Sequence, residues 1–350
     1  MARFPLLSLT GRSRPRRRRG VNLGALPRRG AYLLVAGVLL GGCQSTDGTS
    51  AKPGGVGART VTDVTGTAVT VPRQPRRVIT LSELDLDCAL ALGVRPVGLS
   101  AGRGQRGAPR YLAARVNGVP VVGAVTGPVL DRLIALNPDL ILAGQVHDPQ
   151  VLSQLRQIAP TVVTYRLGDD WKLAVRRIGG ALGQDSAAAS VLAGYATSVR
   201  ELSGRLGARA HAVVSIVRWS PQGPSLIQQG LFGSDVVRDI GLRRPPGQLV
   251  ASAGHSAPVS LENLDQIDAD WIFLGTLSQD GADASALRAA EALPAFQRLR
   301  AVRQRRLVQV DGATWTSLGG PLAARSVLAD VAGALVGASP AARFPVSAAG

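Results

Sequence analysis

Two arginines, Arg103 and Arg106, stand in a glycine-rich loop (AGRGQRGAP) after a strand that ends near Ser100. A third, Arg218, directly follows the apolar run Val213–Val217. A guanidinium presents a planar fork of donors that can grip an oxygen-rich anion through two bonds at once. Guanidiniums at strand ends therefore predict a binding surface for an electron-rich ligand. Trp219, beside Arg218, and Trp315, in the loop after Val310-Asp311, would add apolar faces. Aromatic residues are only 4% of the chain, so the placement of these two carries information. Tyr111 offers a hydroxyl, Ser82 and Glu83 close the first strand, and His255 lies in ASAGHSAP. Trp171 and Trp271 read as core. Three histidines (His147, His211, His255) are too few for a metal cluster. The G-x-S-x-G elbow of a nucleophile and the GxxxxGK[ST] phosphate loop are both missing. Neither catalysis nor a resident cofactor or metal is expected.

The net charge of +17 suggests nucleic acid, but its distribution argues otherwise. Residues 1–42 hold nine arginines and no acid, and the remainder carries 31 basic against 23 acidic residues, a net of +8. The basic run precedes the apolar stretch Ala31–Leu40 and then Leu40-Gly41-Gly42-Cys43, which is the order of an export leader. Small residues before a cysteine resemble a bacterial lipobox, in which Cys43 would be acylated and become the first mature residue. The long basic start leaves two readings open, a translation start further downstream or export by the twin-arginine route. Residues 44–58, rich in Gly, Ser, Thr, Lys and Pro, read as part of a flexible tether. With Cys43 lipidated, Cys88 is the remaining thiol, and its Leu and Ala neighbours read as a buried helix.

These residues need a scaffold. The chain is 45% hydrophobic and 18% charged, has a mean hydropathy of +0.15, and at 350 residues suits two lobes. Short apolar runs alternate with helical patterns: strands at 78–81, 96–99, 119–122, 140–143 and 162–165, with helices at 84–92, 129–136 and 151–158. Such alternation predicts α/β layers with parallel strands. A helical stretch from about Trp171 to Leu206, broken at Gly183, carries no strand signal. Alternation resumes with strands at 213–217, 226–229, 271–274 and 307–310 and helices at 236–240 and 321–335. Residues 129–144 (VLDRLIALNPDLILAG) and 260–275 (SLENLDQIDADWIFLG) match at a constant offset. Leu130 aligns with Leu261, Leu133 with Leu264, Asp139 with Asp270, Ile141 with Ile272 and Gly144 with Gly275, and Asp131 and Glu262 are both acidic. The repeat supports two similar lobes, and the strand-end glycines would leave room at a cleft between them. The expected organisation is a leader (1–42), a tether (43–59), a first lobe (60–168), an interlobe helical segment (169–208) and a second lobe (209–345), the binding domain spanning about 76–340.

Four segments carry a family resemblance: RRVITLSELDLDCALALGVRPVGLS (76–100), WKLAVRRIGGALGQDSAAASVLAGYATSVREL (171–202), RWSPQGPSLIQQGLFGSDVVRDIGLRRP (218–245) and LVQVDGATWTSLGGPLAARSVLADV (307–331). Together they resemble the Fe³⁺-siderophore and cobalamin type of periplasmic-binding protein, most closely actinobacterial iron-siderophore lipoproteins. The resemblance implies an α/β fold of two Rossmann-like lobes joined by a long rigid interlobe helix, with the ligand cleft between the lobes. It implies a lipid-anchored, monomeric, extracytoplasmic protein that delivers a ferric siderophore to an ABC permease and its ATPase, the iron being held by the siderophore. It places the permease-docking acids on Asp131 and Glu262; the first is usually Glu, so Asp131 departs from the pattern. The arginine that some hydroxamate-binding relatives carry near the Gly123–Gly127 loop is replaced here by Ala124-Val125-Thr126. Cobalamin or haem as ligand, and a sensor or scaffold lipoprotein, remain alternatives.

Overall fold

The computed structural model describes residues 57–145, 148–250 and 254–337. The leader, Cys43 and most of the tether lie outside the described residues. An antiparallel hairpin comes first, β1 (Ala58–Thr62) against β2 (Ala68–Pro72), so regular structure begins inside the stretch expected to be tether. Its alternating burial marks a ribbon with one face on the protein.

The first sheet contains β3 (Val78–Thr80), β4 (Gly98–Ala101), β5 (Val121–Ala124), β6 (Gly127–Pro128), β7 (Leu140–Leu142) and β8 (Thr161–Val162), in the order β6-β5-β4-β3-β7-β8. All its pairs are parallel except β5 with β6. Strands β3, β7 and β8 are buried throughout, as apolar runs must be when both faces of a parallel sheet are covered. Helices α1 (Glu83–Ala91), α2 (Arg110–Ala113), α3 (Leu130–Ala135) and α4 (Pro149–Ile158) connect these strands. The second sheet contains β9 (Val214–Ser220), β10 (Gly223–Leu226), β11 (Trp271–Thr276) and β12 (Leu307–Asp311), in the order β10-β9-β11-β12, with only β9 and β10 antiparallel. Helices α7 (Phe232–Ile240), α8 (Ala282–Glu291), α9 (Pro294–Gln297), α10 (Arg300–Arg303), α11 (Gly312–Thr316) and α12 (Pro321–Val336) accompany it.

Between the sheets run α5 (Trp171–Leu182) and α6 (Asp185–Leu206). The break at Gly183 is a reversal. Gly183 adopts φ +75°, and α6 folds back along α5 so that Trp171 meets Tyr195 edge-on at 5.0 Å. A side chain at 183 would strike the carbonyl of Arg73, so glycine is required there.

The repeated unit has a shared structural purpose. Asp139 accepts the backbone N–H groups of Arg76 (2.8 Å) and Arg77 (2.9 Å) just ahead of β3, the strand beside β7. Asp270 accepts the N–H of Val213 (2.9 Å) just ahead of β9, the strand beside β11. Each aspartate thus ties its own strand to the start of its neighbour. The glycines of the repeat differ from expectation. A Cβ on Gly144 would lie 2.6 Å from the Ser82 Cβ, and one on Gly275 would lie 2.7 Å from the Gly312 Cα. The room at both positions is filled by the protein's own chain.

One apolar cluster crosses both lobes. It includes Val78, Leu84 and Leu142 from the first lobe, Val214, Phe273 and Trp315 from the second, and residues of α5, α6, α7 and α12. Helix α12 buries residues on most of its circumference, among them Ala324, Val327, Leu328 and Val331. Its N-terminus meets the Asp87 carboxylate of α1, which accepts the N–H groups of Leu322 and Ala323, both at 2.8 Å, and the Tyr111 hydroxyl at 2.9 Å. Gly320 admits this approach, since a Cβ there would lie 2.6 Å from Asp87 Oδ1. Nearby, Asp85 accepts from the Thr164 hydroxyl at 2.5 Å.

Burial pushes the carboxyls of Asp85 and Asp87 up to about 6, against hydrogen bonds that favour their charged forms. Their folded values lie above the ordinary 3.8, so the folded protein holds protons that the unfolded chain releases. That stabilisation is complete below about pH 4 and is lost as pH rises through about 6. Asp87→Ala should cost about 3 kcal/mol in urea unfolding at pH 7, because three buried donors lose their acceptor. It should also flatten the fall in melting temperature between pH 5 and pH 7; an unchanged slope would show that Asp87 does not titrate there.

Candidate ligand-binding site

Strand β9 ends at Ser220 and carries Arg218 close to that end, paired in register with Ser225 of β10. Arg218 is half-buried. Burial lowers its pKa, the nearby charge of Arg103 lowers it further, and Asp283 in the first turn of α8 opposes both. The structure therefore brings Arg103 of the first lobe and Arg218 of the second into electrostatic reach of each other. Two like charges held together repel, and an anion between them relieves the repulsion.

Arg103 is not free to swing. Glu83, the first residue of α1 and 3% exposed, accepts the Arg103 backbone N–H through Oε1 (2.8 Å) and its Nη1 through Oε2 (2.7 Å). One edge of the guanidinium is anchored and the side chain remains 36% exposed. Arg106 is exposed, with no hydrogen-bond or ion-pair partner among the described residues. The loop opens a cavity of about 450 Å³ at the carboxyl ends of β4 and β5, with Arg103, Gln105 and Arg106 on one wall and Ala124, Val125 and Thr126 on the other. Gln105 holds a buried Nε2 donor that has no partner. The wall thus offers donors and positive charge, which suits an anion rich in oxygen.

The same loop touches the second lobe. Gly104 has φ +69°, and a Cβ there would lie 2.8 Å from the Leu277 Cβ. Arg110 crosses the same gap, forking onto Asp311 at 3.0 and 2.8 Å and donating to the Leu277 carbonyl at 3.0 Å. Sequence reasoning did not single out Arg110, Gln105 or Asp283. Arg110 had a signal in its position at a helix start directly after GAP in the same basic stretch.

Several expected ligand residues are placed elsewhere, and these are corrections. Trp219 is 1% exposed and meets Phe296 edge-on at 5.9 Å in the second-lobe core. Trp315 is fully buried, stacks on Phe273 at 4.5 Å and donates its Nε1–H to Asp330. Neither indole presents a face to the cleft. The Tyr111 hydroxyl is committed to Asp87 at the lobe junction, and the Ser82 hydroxyl caps α1 by accepting the Asp85 N–H at 3.0 Å. Glu83 acts on Arg103 rather than outward. His255 is exposed and pairs with Ile227, just past β10 at the outer edge of the second sheet. Asp131 and Glu262 are exposed in the first turns of α3 and of the 3-10 segment Leu261–Ile267, each without a hydrogen-bond or ion-pair partner among the described residues. Cys88 is buried, and burial pushes its thiol up, so it is inert. Among the described residues no cluster of His, Cys, Asp and Glu could hold a metal ion, and no helix is long and apolar enough to cross a membrane.

Known proteins share this fold. A family profile described as "Periplasmic binding protein" matches residues 78–314. The "Probable siderophore-binding lipoprotein YfiY" of Bacillus subtilis (strain 168) is 29% identical over 308 residues, covering 85% of this chain and 94% of its own. The "Achromobactin-binding periplasmic protein" of Dickeya dadantii (strain 3937) is 30% identical over 265 residues, covering 74% of this chain and 86% of its own. The crystal structure of Staphylococcus aureus SirA complexed with staphyloferrin B superposes with a TM-score of 0.69 at 24% identity, covering 79% of this chain and 98% of SirA. Two α/β lobes with mostly parallel sheets, a cleft at their strand ends and a profile match across both lobes lead to one conclusion: the chain belongs to the periplasmic binding protein family.

Proposed function

We propose that this chain is the extracytoplasmic binding component of an ABC importer, and that it captures a ferric siderophore between Arg218 on one lobe and Arg103 with Arg106 on the other. The observation that carries the reading is that the Arg103–Arg106 loop meets the second lobe at Leu277, just beyond the strand beside Arg218, which puts the two arginines in electrostatic reach. A ferric siderophore encloses its metal in ligand oxygens, so the protein needs to recognise a compact, electron-rich surface and no metal ligand of its own. The wall of Arg103, Gln105 and Arg106 supplies matching donors. The names of the relatives, given for siderophores, support the same class of ligand. Glu83 serves as a positioning residue that fixes Arg103 for this contact.

Delivery falls to Asp131 and Glu262, whose exposed and unpartnered carboxylates suit arginines on a permease. Cys43, acylated after removal of the leader, would hold the protein at the outer face of the membrane, because several acyl chains anchor stably where one does not.

Three measurements test this reading. In intrinsic-tryptophan titrations with ferric siderophores, cobalamin and haem, a ferric siderophore should bind most tightly, and its metal-free form more weakly, since the metal pre-orders the oxygens. Arg218→Ala should lose about 1.5–3 kcal/mol of affinity, the range for a hydrogen bond to a charged group. Arg103→Ala should lose less, being already paired with Glu83; unchanged affinity in Arg218→Ala would move the site elsewhere. Asp131→Ala combined with Glu262→Ala should abolish iron uptake and leave chelate affinity intact, and a parallel fall in affinity would refute their placement outside the cleft. Cys43→Ala should shift the protein from the membrane fraction to the soluble fraction, and retention on the membrane would exclude the lipid anchor.

A further inference from the structure

Each of the two unpartnered carboxylates stands beside a groove. The first lies between α3 and α4, has a volume of about 460 Å³, and is lined by Leu130, Ile134, Pro138 and Ile158 with Gln154 and Gln157. Leu130 immediately precedes Asp131. Asn137, in the left-handed region at φ +42°, turns the chain out of α3 and so forms one end of this groove. It is open, and Ile134 in its lining is 57% exposed; Val129, just ahead of α3, is 41% exposed. The second groove, of about 390 Å³, includes Ser260 and Asn263, which flank Glu262 two residues before and one after. It mixes Leu226, Pro258 and Val259 with polar groups, among them Gln228, which is 5% exposed with an unpartnered Oε1.

An exposed isoleucine on a short helix adds nothing to the fold, and contiguous exposed apolar surface marks a place of contact. Small-molecule pockets bury about 70–90% of their ligand. Here Ile134, Asn137 and Gln157 are themselves exposed, so a small ligand would remain largely in water. A side chain projecting from another protein's surface fits better, because the surrounding contact completes its burial. The charge beside the groove specifies that surface: Asp131 lacks a partner among the described residues and demands a cation.

We propose that the α3–α4 groove seats an apolar side chain of the permease while a neighbouring cationic group meets Asp131. The proposal rests on the importer reading above and deepens it.

The test places Ile134→Glu, Ile134→Leu and the Asp131→Ala, Glu262→Ala pair in the full-length chain in its native cells. Uptake is read with ⁵⁵Fe added to the cells' own iron-limited spent medium. The purified proteins are assayed in parallel for binding of the same ⁵⁵Fe-labelled medium, for melting temperature and for sedimentation. Ile134→Glu should reduce uptake at least tenfold with ⁵⁵Fe binding and melting temperature unchanged, and Ile134→Leu should transport as wild type. Normal uptake by Ile134→Glu, with uptake lost in the acidic pair, overturns the groove and leaves the importer reading standing. Normal uptake in both overturns the importer reading as well. Reduced ⁵⁵Fe binding by Ile134→Glu overturns the proposal by making the groove part of the ligand site. A wild-type dimer that Ile134→Glu converts to monomer assigns the groove to a second copy of the chain and overturns it too.

Discussion

The buried Asp87 carboxylate is the contact on which the relation between the lobes depends. It stands on α1 of the first lobe and accepts two backbone N–H groups at the start of α12, which follows the last strand of the second. A helix N-terminus leaves such donors without internal partners and carries partial positive charge, so an anion there answers both needs. Parting the lobes would strand those donors and the Tyr111 hydroxyl, break the fork between Arg110 and Asp311, and expose an apolar cluster that runs continuously from β3 to α12. Each of these costs free energy, and they fail together. Wide opening is therefore disfavoured, and under the proposed function recognition would fall to side chains and to the loop at 101–107. Such a protein suits a compact and already ordered ligand, whose binding needs little rearrangement on either side.

Within that frame the electrostatics of the cleft are arranged in opposition. Arg218 is half-buried and close to Arg103, and both features disfavour its charge. Glu83 holds Arg103 in place and neutralises part of its field at one edge. If Glu83 were absent, Arg103 could turn away from Arg218 and the repulsion would dissipate into solvent. In the proposed function, anchoring keeps Arg103 available to the same anionic ligand as Arg218. The same logic explains why Arg110, four residues beyond Arg106, does not serve the ligand. Both ends of its guanidinium are occupied by Asp311 and Leu277, and it closes the protein instead.

Much of the fold was legible because it rests on periodicity. Buried parallel strands appear as apolar runs, and the repeat at 129–144 and 260–275 preserved Asp139 and Asp270, whose role in joining neighbouring strands accounts for their matched positions. The hairpin of β1 and β2 escaped notice because its strands are half-exposed and carry three Thr, and β1 begins inside the Gly-, Ser- and Thr-rich stretch read as tether. At the site, residue type was a good guide and orientation was not. Arg218 and Trp219 are adjacent at the end of β9, and in a strand adjacent side chains point to opposite faces. One of them had to leave the cleft, and the larger apolar group went to the core against Phe296. Trp315 followed for a related reason. It lies on α11, a single turn with Phe273 on one side and Asp330 near its N–H, and no surface remains for a ligand. Tyr111 depended on a partner 24 residues away that no local pattern specifies.

The repeat also separates what the two lobes share from what each has acquired. Positions 139 and 270 are kept because a sheet of either lobe needs its strands tied at their starts, whatever the ligand. Positions 144 and 275 are both glycine but for different neighbours: Ser82 ahead of α1 in one lobe and the backbone of Gly312 in the other. A shared residue type thus reflects a shared demand for close approach at the end of a strand, met by unrelated partners. Beyond the strands the lobes diverge further. Facing the gap, one offers a mobile-length arginine fixed by a buried glutamate, and the other an arginine fixed by its own strand. Two scaffolds of one design therefore present unlike surfaces to the gap, and under the proposed function such asymmetry would favour a single orientation of an irregular chelate over the reverse.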